Sequence, residues 1–93
     1  MISVEATARF RDCVRKRGLE RSEVFAAMTA VAERWGQPHL HGGAGIRRLR
    51  PGVFECRCGR QVRLVFVRAG GALLFDFAGS HDEVQAYLRN RRT

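Results

Sequence analysis

Arg57 and Arg63 are the residues whose type and spacing could do the most chemistry in this chain. Each lies in a run of alternating apolar and polar residues, 53–58 and 61–68, and Gly59-Arg60 separates the two runs. That pattern predicts two antiparallel strands joined by a tight two-residue hairpin. Pairing about such a turn sets Cys58 opposite Gln61 and Arg57 opposite Val62, a one-residue slip aside, and leaves Arg63 in diagonal reach of Arg57. A guanidinium is a planar fork of five donors that binds phosphate two-pronged. Two of them converging on one open face of a sheet form a phosphate clamp. The competing arrangement has each arginine paired with Glu55 or Asp76 across the sheet. His81 adds an acid–base group just past the last apolar run, at the start of a helix, where loops at strand ends carry reactive side chains. The positive end of a helix favours a neutral imidazole, able to accept a proton. The alternative for His81 is a surface residue in a first helical turn.

Arg47, Arg48 and Arg50 make a second basic cluster, placed before the Pro51-Gly52 turn at a sheet edge. Three cations so close repel one another unless an anion or acid neutralises them. They would either track an RNA backbone or guard the edge against strand-to-strand aggregation. His39 and His41, taken with Cys56 and Cys58, give H-x-H and C-x-C, which lack the C-x2-C spacing of a zinc site. The two cysteines share a strand face with Phe54 and read as small core residues, so no metal or other cofactor is expected. The glycines of residues 36–45 fit neither a dinucleotide fingerprint nor a P-loop. Trp35, at a helix end, is most simply a core anchor.

The whole composition points the same way. Lys+Arg number 17 against 9 Asp+Glu, a formal charge of +8. Residues 1–45 hold 7 basic and 5 acidic residues; residues 46–93 hold 10 and 4, so the net charge rises from +2 to +6 between the halves. A field of that sign favours a polyanion partner, either nucleic acid or an acidic protein. Three cysteines, an odd number, and an N-terminus without an apolar signal core argue against a secreted disulfide scaffold. No apolar run approaches the ~20 residues that span a bilayer. The expected location is the cytoplasm, away from any membrane.

These groups must be held by a single domain, residues 1–93, of the α+β class. Residues 4–17 read as a first helix stopped by Gly18, and residues 22–35 as a second, with Ser22 as N-cap and Val24, Phe25, Met28, Val31, Ala32 and Trp35 along one stripe. The two should pack as an antiparallel pair. Residues 36–45, with four glycines and a proline, read as a loop. Strands are expected at 46–49, 53–58, 61–68 and 72–78, forming an antiparallel meander of three or four strands covered on one face by the helices. The opposite face, carrying Glu55, Arg57 and Arg63, should stay open or be partly covered. Ser80 and Glu83 form a capping box that starts a final helix, buried through Val84, Tyr87 and Leu88 and ending in Arg89, Arg91 and Arg92.

Residues 45–88 resemble the RelE/ParE toxin superfamily. The likeness lies in the order Arg48-Leu49, Phe54-Glu55-Cys56-Arg57, Gly59, Val62-Arg63-Leu64 and Gly79-Ser80-His81-Asp82-Glu83-Val84. It implies a RelE-like toxin of a type II toxin–antitoxin system, neutralised by a cognate antitoxin. RelE-like members cleave mRNA on the ribosome without a metal, by attack of the ribose 2′-OH on the adjacent phosphate. Carried over by position, Arg57 and Arg63 would hold the phosphate and His81 would be the acid or base. The same resemblance admits a ParE-like inhibitor of DNA gyrase or a non-catalytic RNA-binding relative. Oligomeric state is left open. The chain departs from the family pattern at Gln85, where a tyrosine is common, and at Glu55, where a basic residue is common. The family's first strand is not evident in it either.

Overall fold

The computed structural model describes residues 2–91. Arg92, read above as part of the basic C-terminal turn, lies outside them. The chain runs β1 (Ser3–Ala6), α1 (Ala8–Arg17), α2 (Arg21–Arg34), a 3-10 turn (Pro38–Leu40), α3 (His41–Ala44), β2 (Arg47–Arg50), β3 (Val53–Cys58), β4 (Val62–Ala69), β5 (Ala72–Gly79) and α4 (His81–Asn90). The class is α+β. The sheet has five strands, in the order β1-β5-β4-β3-β2, where three or four antiparallel ones were expected.

The added strand comes from the N-terminus. Residues 3–6 pair in parallel with residues 72–75, Ser3 against Ala72 through Ala6 against Phe75. This makes the sheet mixed and shortens the expected first helix. Thr7 marks the switch: its Oγ1 accepts from the Phe10 N–H as N-cap and donates to Asp76 Oδ1 at 2.8 Å. β1 ends opposite Phe75, and α1 continues along β5 from there. Gly18 closes α1 in the left-handed conformation, φ 64°. Helix α2 starts one residue earlier than expected, with Glu20 at N-cap, while Ser22 donates to the Glu20 carboxylate. The two helices share a core, but α1 rests on β5 and α2 on β3, and an apolar hollow lined by Phe10, Val14, Leu19, Val24 and Met28 lies between them. Residues 36–45 are not a plain loop, because they hold the 3-10 turn and the one-turn α3.

Two cores sandwich the sheet. On the α1/α2 side, Phe10, Val31, Cys56, Leu64, Phe66, Leu73 and Phe75 are buried together. Rings run across the strands there: Phe54 stacks on Phe66 at 5.6 Å, and Phe66 on Phe75 at 4.9 Å. Trp35 meets Phe54 edge-on at 4.8 Å, which makes it the anchor its place in the sequence suggested. On the other side α4 seals Val53 and Val65 under Val84, Tyr87 and Leu88. The capping box forms as read: Ser80 Oγ accepts from the Glu83 N–H, and the Glu83 carboxylate accepts from the Ser80 N–H.

Candidate active site

The β3–β4 hairpin is one residue looser than a two-residue turn allows. Cys58 pairs with Val62 around Gly59, Arg60 and Gln61, and the register runs back through Arg57 opposite Arg63 and Glu55 opposite Val65. Direct cross-strand partners point to the same face, so Arg57 and Arg63 both stand on the α4 side of the sheet. Arg63 in turn pairs with Gly79, the last residue of β5, and α4 begins two residues later. The two basic residues and the start of the last helix thus meet at one end of the sheet, beyond the apolar stretch that α4 covers.

Their partners differ. Arg57 sends its Nη2 to the carbonyl of Gly42 at 3.2 Å. Its stem crosses Gly45, where a Cβ would lie 2.7 Å from Arg57 Cγ, so glycine is required there both for this crossing and for its φ of 70°. Arg63 turns its Nε toward Glu55 Oε2 at 3.8 Å, and its Nη1 is buried without a hydrogen-bond partner among the described residues. An orphaned, buried guanidinium nitrogen is costly unless something outside the chain satisfies it. Arg63 lines a hollow of about 290 Å³ with Arg60, Gln61, Ser80, His81 and Asp82. The capping box consumes the Ser80 and Glu83 amides, which leaves those of His81 and Asp82 as first-turn donors without a partner among the described residues, at the positive end of α4.

Arg63 and His81 are therefore brought together, and Arg57 stands beside them in the same row with its guanidinium held elsewhere. The edge cluster is divided. Arg47, largely exposed, reaches toward Glu55 Oε2 at 3.9 Å; Arg48 pairs with Phe54 and so lies on the other face; Arg50, after a register shift, donates to the Arg91 carbonyl at 3.5 Å. Arg60 and Gln61 line the hollow, although neither stood out in the sequence. The signal was the hairpin length, which sets whether these residues form the turn or flank it. His39 is exposed, and His41 stacks on Trp35 at 5.9 Å. Cys56 and Cys58 face the aromatic core, where burial pushes the Cys56 thiol up to about 12 and raises that of Cys58. No group of three or more His, Cys, Asp or Glu side chains among the described residues is arranged to hold a metal ion.

With that geometry in place, solved structures match over nearly the whole chain. The chain has the fold of the RelE-like toxins. A copper-bound leucine-to-serine variant of a toxin from Helicobacter pylori superposes with a TM-score of 0.69 at 19% identity, covering 90% of this chain and 99% of that one. YafQ from Escherichia coli gives 0.66 at 16% identity, covering 90% and 98%. The toxin chain of the Escherichia coli DinJ-YafQ toxin–antitoxin complex gives 0.63 at 13%, covering 89% and 96%. No family model matches the chain, and no curated protein is significantly similar in sequence. The resemblance seen in residues 45–88 thus holds for the fold, and the 90% coverage carries it into the N-terminal half of the chain. No helix among the described residues is long and apolar enough to cross a membrane.

Proposed function

We propose that this chain is the toxin of a toxin–antitoxin pair and that it cleaves mRNA on the ribosome, in the cytoplasm. The observation that carries the reading is that Arg63, whose Nη1 is buried without a hydrogen-bond partner among the described residues, lines one hollow with His81 at the positive end of α4. Such a place accepts an anion, and an imidazole beside it can move a proton. In the reaction a base takes the proton of the ribose 2′-OH, the freed oxygen attacks phosphorus, and the bond to the 5′ oxygen breaks. A proton then reaches the leaving oxygen, and the products are a 2′,3′-cyclic phosphate and a 5′-hydroxyl. His81 serves as the acid or the base. Arg63 stabilises the charge that builds on the phosphate oxygens, and Arg47 and Arg57, on the same face, grip the flanking backbone. The net charge of +8 suits both this substrate and an acidic antitoxin segment. The fold shared with the toxin of the DinJ-YafQ toxin–antitoxin complex supports such a partner.

The decisive experiment follows mRNA in a translating extract given the wild type, Arg63→Ala or His81→Ala. Each variant should keep its circular dichroism and lose cleavage by about 10²–10³-fold, the usual cost of removing one donor to a developing oxyanion or one general acid–base group. If both variants cut as the wild type does, the site is wrongly assigned. Intact mRNA with a DNA-damage response instead would move the protein to gyrase. Binding to single-stranded RNA should weaken with salt at a slope of about 0.7 per phosphate engaged, and a flat response would count against any nucleic-acid role.

A further inference from the structure

Among the described residues Glu55 is the only buried charged side chain, at 4% exposure. It shares the α4 face with Val53, Val65, Val67 and Phe77 on one side and with Arg57 and Arg63 on the other. A buried carboxylate is expensive to desolvate, and an apolar side chain of similar volume in its place is often neutral or stabilising. Stability therefore does not account for it. Its Oε2 lies 3.8 Å from Arg63 Nε and 3.9 Å from Arg47 Nε, too far for good hydrogen bonds but close enough for strong attraction across a half-buried gap. The sheet register fixes it one cross-strand pair along from Arg57 and Arg63. Those two arginines are direct partners on one face, yet only Arg63 has a carboxylate on its inner edge, and only Arg63 lines the hollow with His81.

We propose that Glu55 is a positioning residue: it holds the Nε edge of Arg63 so that the guanidinium stays fixed against the hollow it shares with His81, where a phosphate would bind. The proposal rests on the RNA-cleaving reading above. Without the carboxylate the guanidinium is free to swing outward into water, as exposed arginines do. The patch would then carry one more net positive charge but no fixed donor.

The test is Glu55→Gln, which keeps the shape and removes the charge. RNA binding should hold or tighten, while kcat for cleavage should fall about 10–100-fold, the scale of an ångström-level misplacement. A merely structural role would lower melting temperature, kcat and affinity together. Glu55→Met, apolar and of similar length, should keep the fold and show the same fall in kcat, which covers a failure of the Gln variant to fold. A kcat equal to wild type in a folded variant overturns the proposal. A second readout does not depend on cleavage. In 15N-labelled protein the nearby carboxylate should shift the Arg63 Nε–H from the bulk of the arginine signals, and the signal should join them in Glu55→Gln. If that signal is unmoved the proposal fails even with active enzyme. If it moves while the wild type cuts no RNA, the functional reading fails and the positioning contact stands.

Discussion

The two faces of the sheet are built from the same five strands by different means. The face under α1 and α2 is a continuous run of rings, from Trp35 through Phe54 and Phe66 to Phe75 and Phe10, and among the described residues no charged side chain is buried in it. The face under α4 is apolar only where the helix lies, over Val53, Val65 and Phe77. At one end it gives way to Glu55, Arg57 and Arg63. At the other it is pinned by charge: Asp76 accepts from Tyr87 at 2.6 Å and from Thr7 at 2.8 Å, with Arg9 at 3.5 Å and Arg91 at 3.9 Å. One face supplies cohesion, and the other places ionic groups in fixed positions on a rigid base. The division suits a short chain, which has one sheet with which to do both.

The sharpest way to break the contrast is to open a hole in the cohesive face. Phe66 is fully buried between Phe54, Phe75 and Trp35. Phe66→Ala should cost about 3–5 kcal/mol in a urea titration, through lost transfer energy and a residual cavity. That is a large part of the ~5–15 kcal/mol a domain has. The site on the opposite face should be lost with the fold and not before it. A variant that stays folded but loses cleavage would mean that the faces are coupled more tightly than this division allows.

The unequal legibility of the two faces has the same origin. Alternation in the β3, β4 and β5 runs, the stripe of α2 and the Ser80–Glu83 box are local signals, and each element formed close to where the sequence placed it. Residues that depend on a distant partner were hidden. β1 is four residues long and acquires its meaning from Leu73 and Phe75, some 69 positions away. The register of Arg57 and Arg63 turned on whether the hairpin loop held two residues or three. The parking of Arg57 on Gly42 depends on α3 forming inside what reads as a glycine-rich loop. Asp76 in the middle of an apolar strand was a visible clue to the polar pin, but its partners come from α1 and α4, at opposite ends of the chain.

Each face also carries a group whose alkaline titration reports on it. Burial raises Cys56 to about 12 on the ring face and raises Tyr87 on the α4 face, where the hydrogen bond to Asp76 adds to the effect. Both folded values exceed the unfolded ones, about 8.5 and 10. The stability each confers is therefore complete below those values and lost as pH rises through them toward the folded ones. Tyr87→Phe should cost about 1.5–3 kcal/mol at neutral pH, the range for a hydrogen bond to a charged group. It should also flatten the decline above pH ~10 while leaving the earlier decline, which belongs to the thiols. Urea midpoints from pH 7 to 11 for the wild type, Tyr87→Phe and Cys56→Ala would separate the two. An unchanged curve in Tyr87→Phe would remove the polar pin from the account of the α4 face.

The smallest effect lies where α1 and α4 meet. Glu83 accepts from the Ser80 N–H, and the Arg17 guanidinium from the end of α1 also reaches it. The backbone bond from Ser80 holds its carboxyl below the ordinary range, helped by Arg17. Glutamine can keep the capping hydrogen bond, so Glu83→Gln removes only the charge, with its attraction to Arg17 and to the helix dipole. The side chain is half exposed and solvent screens it, so the loss at pH 7 should stay below about 1 kcal/mol. The sign is the reverse of the tyrosine case. A depressed folded value gives stability that is present above the unfolded value of about 4.3 and lost as pH falls through the folded one. Thermal melts of wild type and Glu83→Gln should therefore differ at pH 6 and converge in acid. A gap that persisted at low pH would show that the α1–α4 contact rests on the shape of the side chain and not on its charge.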